Sequence, residues 1–178
     1  IDVGRQLFVD DFLVDQSTLK RRFHKPTMYE GNPVMRPNKR WEVAHKPHSA
    51  MCFSDGVFYD PADDLFKMWY RYSARGGTAM ATSKDGIHWD KPSFDEGPQP
   101  RTNIVLMGGN RDSATVWLDH DASDPNARFK LFQFHRDSWL ASVHTSPDGI
   151  RWTEPLWTGP SGDRSTIFYN PFRKVWVY

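Results

Sequence analysis

The chain has 178 residues, 38% hydrophobic and 25% charged, which suits one packed domain and excludes wholesale disorder. Lys+Arg 23 against Asp+Glu 22 gives a formal net charge of +1, so bulk charge does not make it a nucleic-acid or membrane binder. Its apolar runs are far shorter than the ~20 residues that cross a bilayer, and the single cysteine, Cys52, excludes an intrachain disulfide framework and a thiolate-cluster zinc site.

Aromatic residues reach 15%, with 13 Pro and 12 Gly, a composition that favours short strands and tight turns. The first 48 residues read as an irregular lead-in. They contain the apolar segment LFVDDFLVD around Asp10 and Asp11, a candidate ring-closing edge strand, and Asn32-Pro33-Val34. Residues 57–72, VFYDPADDLFKMWYRY, pair an opening strand with a period-two strand across an Asp-Pro turn. Residues 81–92, ATSKDGIHWDKP, follow, and then a polar, Pro-rich connection over 93–103. Residues 116–135, VWLDHDASDPNARFKLFQFH, repeat the earlier hairpin with a longer turn, and 144–155, HTSPDGIRWTEP, match 81–92 at seven of twelve positions with an offset of 63. Residues 167–178, IFYNPFRKVWVY, begin the pattern a third time.

Each Ser-x-Asp-Gly-x-x-Trp unit predicts a turn in which Asp accepts local backbone N–H groups and Gly takes a positive φ. Four strands per 50–60 residues, repeated, predict β-propeller blades. The expected fold is all-β, with blade 1 over 49–92, blade 2 over 103–155 and the start of blade 3 over 162–178. About two and a half blades leave a ring open, since propellers close with ~4–8. The expectation is therefore an N-terminal portion of a longer, five-bladed protein. The remaining blades would come from the same protein or from a partner chain.

Ser83–Trp89 and Ser146–Trp152 resemble the blade-end motif of five-bladed propeller glycosidases. That group holds arabinanase/xylosidase-like and invertase/levanase-like enzymes and related mannoside phosphorylases. Asn-Pro-Val, Trp-Glu, Tyr-Asp-Pro, Phe-Lys-Met-Trp-Tyr and Asp-Arg-Ser-Thr-x-Phe-Tyr-Asn-Pro-Phe also resemble glycosyl-hydrolase-like proteins of environmental bacteria. The repeated turn is similar to the sialidase Asp-box, which has one more residue before its Gly. The resemblance implies a glycoside hydrolase acting on an oligo- or polysaccharide. Its carboxylates would project from successive inner strands into an axial funnel. It implies no nucleic-acid or membrane partner. No cofactor is expected, with a structural calcium on the ring axis left open. A secreted or periplasmic location is expected, although no signal peptide opens this chain.

Asp112 and Asp163 each stand five residues before the inner-strand aromatic, at equivalent positions of adjacent repeats, and read either as a catalytic carboxylate pair or as a repeated turn cap. Blade 1 has Phe53 there, which leaves Asp55 or Glu42 as the third carboxylate. Asp55 otherwise belongs to an Asp-Gly turn, and Glu42 otherwise is a solvated acid beside packed Trp41. Arg164, Arg111, Trp41 and His48 are candidate sugar-positioning residues, Trp41 by stacking. His45 and His48 flank Pro47 without the partners of a metal site. Asp119-His120-Asp121 reads as a turn, Asp85, Asp148, Trp89 and Trp152 as structural, and Cys52 as a small buried residue. A non-catalytic carbohydrate-binding or scaffold propeller is the first alternative. A sialidase-like hydrolase, which needs Arg71, Arg111 and Arg164 to converge, is the second.

Overall fold

A computed structural model describes residues 8–74, 76–108 and 111–178. It is all-β apart from one short 3-10 turn at Pro125–Ala127. Blade 1 is the meander β2 (Val57–Asp60), β3 (Leu65–Tyr72), β4 (Thr78–Ser83) and β5 (Ile104–Leu106), and β1 (Ala50–Met51) prolongs the inner strand along β3. Blade 2 is β6 (Arg111–Leu118), β7 (Phe129–His135), β8 (Leu140–Ser146) and β9 (Leu156–Pro160). Every pairing is antiparallel, and β10 (Phe168–Asn170) with β11 (Val175–Val177) opens a third unit.

The inner hairpins close on the residues that recur in sequence. Asp60 ends β2, accepts the Ala62 N–H and takes the Lys67 ammonium at 2.8 Å. Asp119 does the same with the Asp121 N–H and with Lys130 at 2.7 Å, so Asp119-His120-Asp121 is a turn. The two Ser-x-Asp-Gly turns are near copies. Asp85 Oδ1 accepts the Ile87 and His88 N–H groups at 2.8 Å, and Asp148 Oδ1 accepts those of Ile150 and Arg151 at 2.8 and 2.9 Å. Gly86 and Gly149 sit at φ +75° and +80°, where a Cβ is strained.

Period-two alternation assigns each face of β3 a different neighbour. Tyr70 and Tyr72 join Ala79, Ala81 and Ile104 beneath Met35 and Trp41 of the lead-in. Trp69 points the other way, into a cluster with Met80, Val105, Val116, Leu118, Phe129 and Leu131 that cements blade 1 to blade 2. Its indole N–H donates to the Gly149 carbonyl at 2.9 Å. The same contacts recur one unit on. Lys67 lies 5.2 Å over the Phe129 ring, and Lys130 lies 5.2 Å over Trp176. Phe132, Ala141 and Ile167 form the core of that second junction. A constant placement of each unit on the next is what stacking blades around an axis requires.

Several boundaries differ from the sequence reading. Residues 104–106 pair with β4 and finish blade 1, and the outer strand of blade 2 runs over 156–160, beyond residue 155. The motif Trp stands ahead of the outer strand: Trp89 is followed by the Thr82–Asp90 and Phe94–Thr102 bridges before β5, and Trp152 by residues 153–155 before β9. Trp89 packs on its own blade, while Trp152 packs at the blade 1–blade 2 junction. The segment proposed as a ring-closing strand forms turns over its described residues 8–16, with Phe12 90% exposed and no strand partner. Its Asp10 side chain caps the Phe12 N–H, a turn bond that competes with extended pairing. Cys52 is exposed, because β1 and β2 are separated by a loop at that point instead of forming one continuous inner strand.

Candidate active site

The inner strands break where they carry acids. Between Met51↔Arg71 and Val57↔Met68 the chain loops out through Asp55, and between Arg111↔His135 and Ala114↔Gln133 the register shifts by one at Asp112 and Ser113. Such bulges re-aim side chains at strand ends. Here Arg111 turns toward blade 1 and Asp112 toward the third unit.

On the blade 1 side, Arg111 forms a fork on Asp55, with Nη1–Oδ1 at 2.5 Å and Nη2–Oδ2 at 3.0 Å, and also reaches Thr78 Oγ1 at 3.2 Å. Both side chains of the ion pair are fully buried. Burial pushes the Asp55 carboxyl up while the guanidinium pulls it down. The Asp55 carbonyl accepts the Val116 N–H at 2.6 Å, and Ser54 Oγ–H donates to the Ala114 carbonyl at 2.8 Å. Asp55 and Arg111 are therefore a sealed tie between blades, out of reach of a sugar.

On the other side, Asp112 and Asp163 meet. Each carboxyl lies close enough to shift the protonation of the other. Arg136 Nη2 stands 2.7 Å from Asp112 Oδ2 and 3.7 Å from Asp163 Oδ2. Burial alone would raise Asp112, but the neighbouring Asp163 carboxyl and Arg136 outweigh it and hold Asp112 below its ordinary value. The neighbouring Asp112 carboxyl, with partial burial, raises Asp163. The two are pushed apart, Asp163 toward its protonated form and Asp112 toward its ionised form. Thr115 and Thr166 hydroxyls, 2.9 Å apart, stitch the two inner strands beside the pair. The pair stays open to solvent, with Asp163 47% exposed.

The other candidates lie elsewhere. Glu42 is completely buried on the Tyr70 face of blade 1, the side opposite Trp69 and blade 2. Its oxygens accept from Asn38 N and Lys39 N at 2.7 and 2.8 Å, from Tyr70 OH at 2.7 Å, and from Lys91 Nζ at 2.7 Å. Burial would raise its pKa, yet the Lys91 and Tyr70 bonds bring it below the usual value. This carboxylate pins the lead-in to the blade. Trp41 is half-buried in the same cluster, with its indole N–H on Asn103 Oδ1 at 3.0 Å. His48 is exposed in the lead-in. Arg164 is exposed at φ +59°.

Arg136 went unrecognised in the sequence. The usable signal was topological: the β7–β8 turn lies at the same blade end as the start of β6, and it carries Arg136-Asp137. Arg71 is close enough to Arg111, Asp112, Asp55 and Arg136 for their charges to shift it. Among the described residues no three His, Cys, Asp or Glu side chains are arranged to hold a metal ion.

The fold and site define a class: successive four-stranded blades with two acids on one arginine at the second junction. The chain is similar in structure to a fructofuranosidase from Schwanniomyces occidentalis. An alanine variant of that protein complexed with fructosylnystose gives a TM-score of 0.48 at 22% identity, covering 68% of this chain and 27% of that one. The fructose complex gives 0.47 at 21%, covering 68% and 28%. The chain thus spans about a quarter of the length of those proteins. No family model matches the chain. No curated protein matches it.

Proposed function

We propose that the chain contributes the proton-donating carboxyl pair of a glycoside hydrolase acting on an oligo- or polysaccharide. The observation that carries this reading is the convergence of Asp112 and Asp163 on Arg136 Nη2, at 2.7 and 3.7 Å. Two acids 51 residues apart, at equivalent blade positions, are brought together with their pKa values pushed in opposite directions. In this reading Asp163 gives its proton to the glycosidic oxygen as the bond to the leaving sugar breaks. Arg136 then stabilises the carboxylate that remains. Asp112 stays ionised and keeps Asp163 protonated until substrate arrives.

The spacing limits the roles. Glycosidase acid and nucleophile or base act as separate carboxyls ~5–5.5 or ~6.5–9.5 Å apart, whereas Asp112 and Asp163 share Arg136 and shift each other. Asp112 and Asp163 therefore act as one unit. The attacking or water-activating carboxylate belongs to a further blade of the ring, from the same protein or a partner chain, in a secreted or periplasmic setting. The same closeness favours a second reading, a non-catalytic sugar clamp in which the pair and Arg136 grip adjacent hydroxyls.

Reducing-sugar release from arabinan, xylan, levan and mannan oligosaccharides, with sugar binding measured in parallel, separates the readings. Asp163→Asn that abolishes release and keeps binding supports the hydrolase. Wild-type protein that binds a sugar and releases none, with Asp163→Asn losing the binding, supports the clamp and overturns the hydrolase.

A further inference from the structure

We propose that Gln133, His135, Ser142, His144 and the Thr153 carbonyl form a directional proton relay at the junction of blades 1 and 2, one that accepts a proton at His135 by rotating the Gln133 amide. This inference stands apart from the carboxyl pair and from the function assigned to it. Four contacts run in series. Gln133 Nε2 lies 3.4 Å from His135 Nδ1, and His135 Nε2 lies 2.7 Å from Ser142 Oγ. Ser142 Oγ lies 3.0 Å from His144 Nε2, and His144 Nδ1 lies 2.8 Å from the Thr153 carbonyl.

One end fixes every proton. A carbonyl only accepts, so His144 Nδ1 carries the hydrogen and His144 Nε2 is bare. Ser142 must then donate its single hydrogen to His144 Nε2, and its oxygen receives His135 Nε2–H. His135 Nδ1 is left bare and accepts from the Gln133 amide. The two imidazoles are thereby held neutral and in opposite tautomers.

The sheet geometry explains why the series exists. Gln133 pairs directly with Ser142 and Leu131 with His144, so two adjacent rows of β7 and β8 present these side chains on the face that meets blade 1. Ser142 and Gln133 are buried, His144 is 5% exposed, and His135 is half-buried against the Trp157 ring, which makes His135 the entry point. Gln133 Oε1 is buried without a partner. When His135 Nδ1 gains a proton it becomes a donor, and a half-turn of the Gln133 amide brings Oε1 to it. The link survives with its direction reversed, and the other three bonds are unchanged.

The charged groups around the series are Arg111 across the strand from His135, Asp55 on Arg111, Arg71 on β3, Arg136 in the following turn, His144 on β8 and Glu154 near His144. Burial lowers both histidines, and charge on His144 further disfavours charge on His135. Proton uptake thus falls below the ordinary histidine value of ~6.5.

The test is histidine-labelled NMR on the 178-residue chain, reading tautomers from two-bond 1H–15N couplings between about pH 8 and about pH 5. The expected result is Nδ1–H for His144 and Nε2–H for His135 at the upper pH. On acidification His135 should protonate first, with the Gln133 side-chain amide shifting at the same midpoint. Gln133→Glu, which puts a carboxylate on Nδ1, should raise the proton affinity of His135 about tenfold or more. Ser142→Ala should free the His135 tautomer and leave His144 as Nδ1–H, which the Thr153 carbonyl still fixes. Both histidines in the same tautomer at the upper pH would overturn the relay. So would a His135 midpoint unmoved by Gln133→Glu, which keeps the test decisive if Ser142→Ala does not fold.

Discussion

The two repeated glycines offer a controlled comparison. Gly86 and Gly149 occupy the same turn, at φ +75° and +80°, so alanine at either meets a left-handed backbone penalty of about 1–2 kcal/mol. Their surroundings differ. A Cβ on Gly86 meets nothing within 4 Å, whereas one on Gly149 would lie 2.5 Å from Trp69 Cζ2 and 3.3 Å from Cε2. The indole must move, at an overpacking cost of about 1–3 kcal/mol. That movement also stretches the 2.9 Å bond from Trp69 Nε1 to the Gly149 carbonyl, and stranding a buried donor costs about 1–3 kcal/mol. Gly149→Ala should therefore cost at least about 2 kcal/mol more than Gly86→Ala. With a urea slope of about 2 kcal/mol/M that is an extra midpoint shift of about 1 M. Equal shifts for the two variants would refute the packing of the second blade's turn on Trp69.

Asp60, held by Arg128 and Lys67 against the upward pull of burial, has a pKa lowered to about 2. Its native pKa lies below its unfolded one, so its contribution of about 2 kcal/mol is whole above about pH 4 and is lost as the pH falls toward 2. Asp60→Asn should remove that stability at neutral pH, and its unfolding curve should converge on wild type in acid; a constant difference at every pH contradicts this. Arg111→Met strands the buried Asp55 carboxylate and should cost about 3–5 kcal/mol by chemical denaturation. Adding Asp55→Leu should recover much of that, and no recovery would show that the loss lies outside the pair. Glu42→Gln should weaken folding and leave sugar turnover, once detected, within about tenfold of wild type, because Lys91 and Tyr70 already occupy its oxygens. A larger loss of turnover at unchanged stability would return Glu42 to the site.

The blades were legible because their determinants are local. An Asp two residues after Ser and before Gly can only fold into its own turn, and FKMWYRY or FKLFQFH can bury one face only at period two. Equivalence also made Asp112 and Asp163 legible, since like positions in stacked units face the same junction. What the sequence concealed depends on which face a bulge presents. Arg111 and Asp112 are neighbours in the chain, yet they serve opposite junctions. Asp55 therefore belongs to a sealed tie and not to the pair. Glu42 and Trp41 lie outside the repeat, so nothing periodic fixed their face, and the structure puts them under the lead-in. The outer-strand positions were misread because the Pro-rich connection at 93–103 lies within blade 1, ahead of its last strand. Arg136 could be found only by following the hairpin back to the end where β6 begins.

The pairing of Asp112 with Asp163 is tested most directly by carboxyl 13C titration of the two residues in wild type and in Asp112→Asn. Asp112 should titrate below and Asp163 above the ordinary value of ~3.9, and Asp163 should lose its upward displacement when the charge of Asp112 is removed. Two independent titrations near ~3.9, unaffected by the substitution, would mean that the acids do not shift each other, and the proposed donor would have to be sought elsewhere.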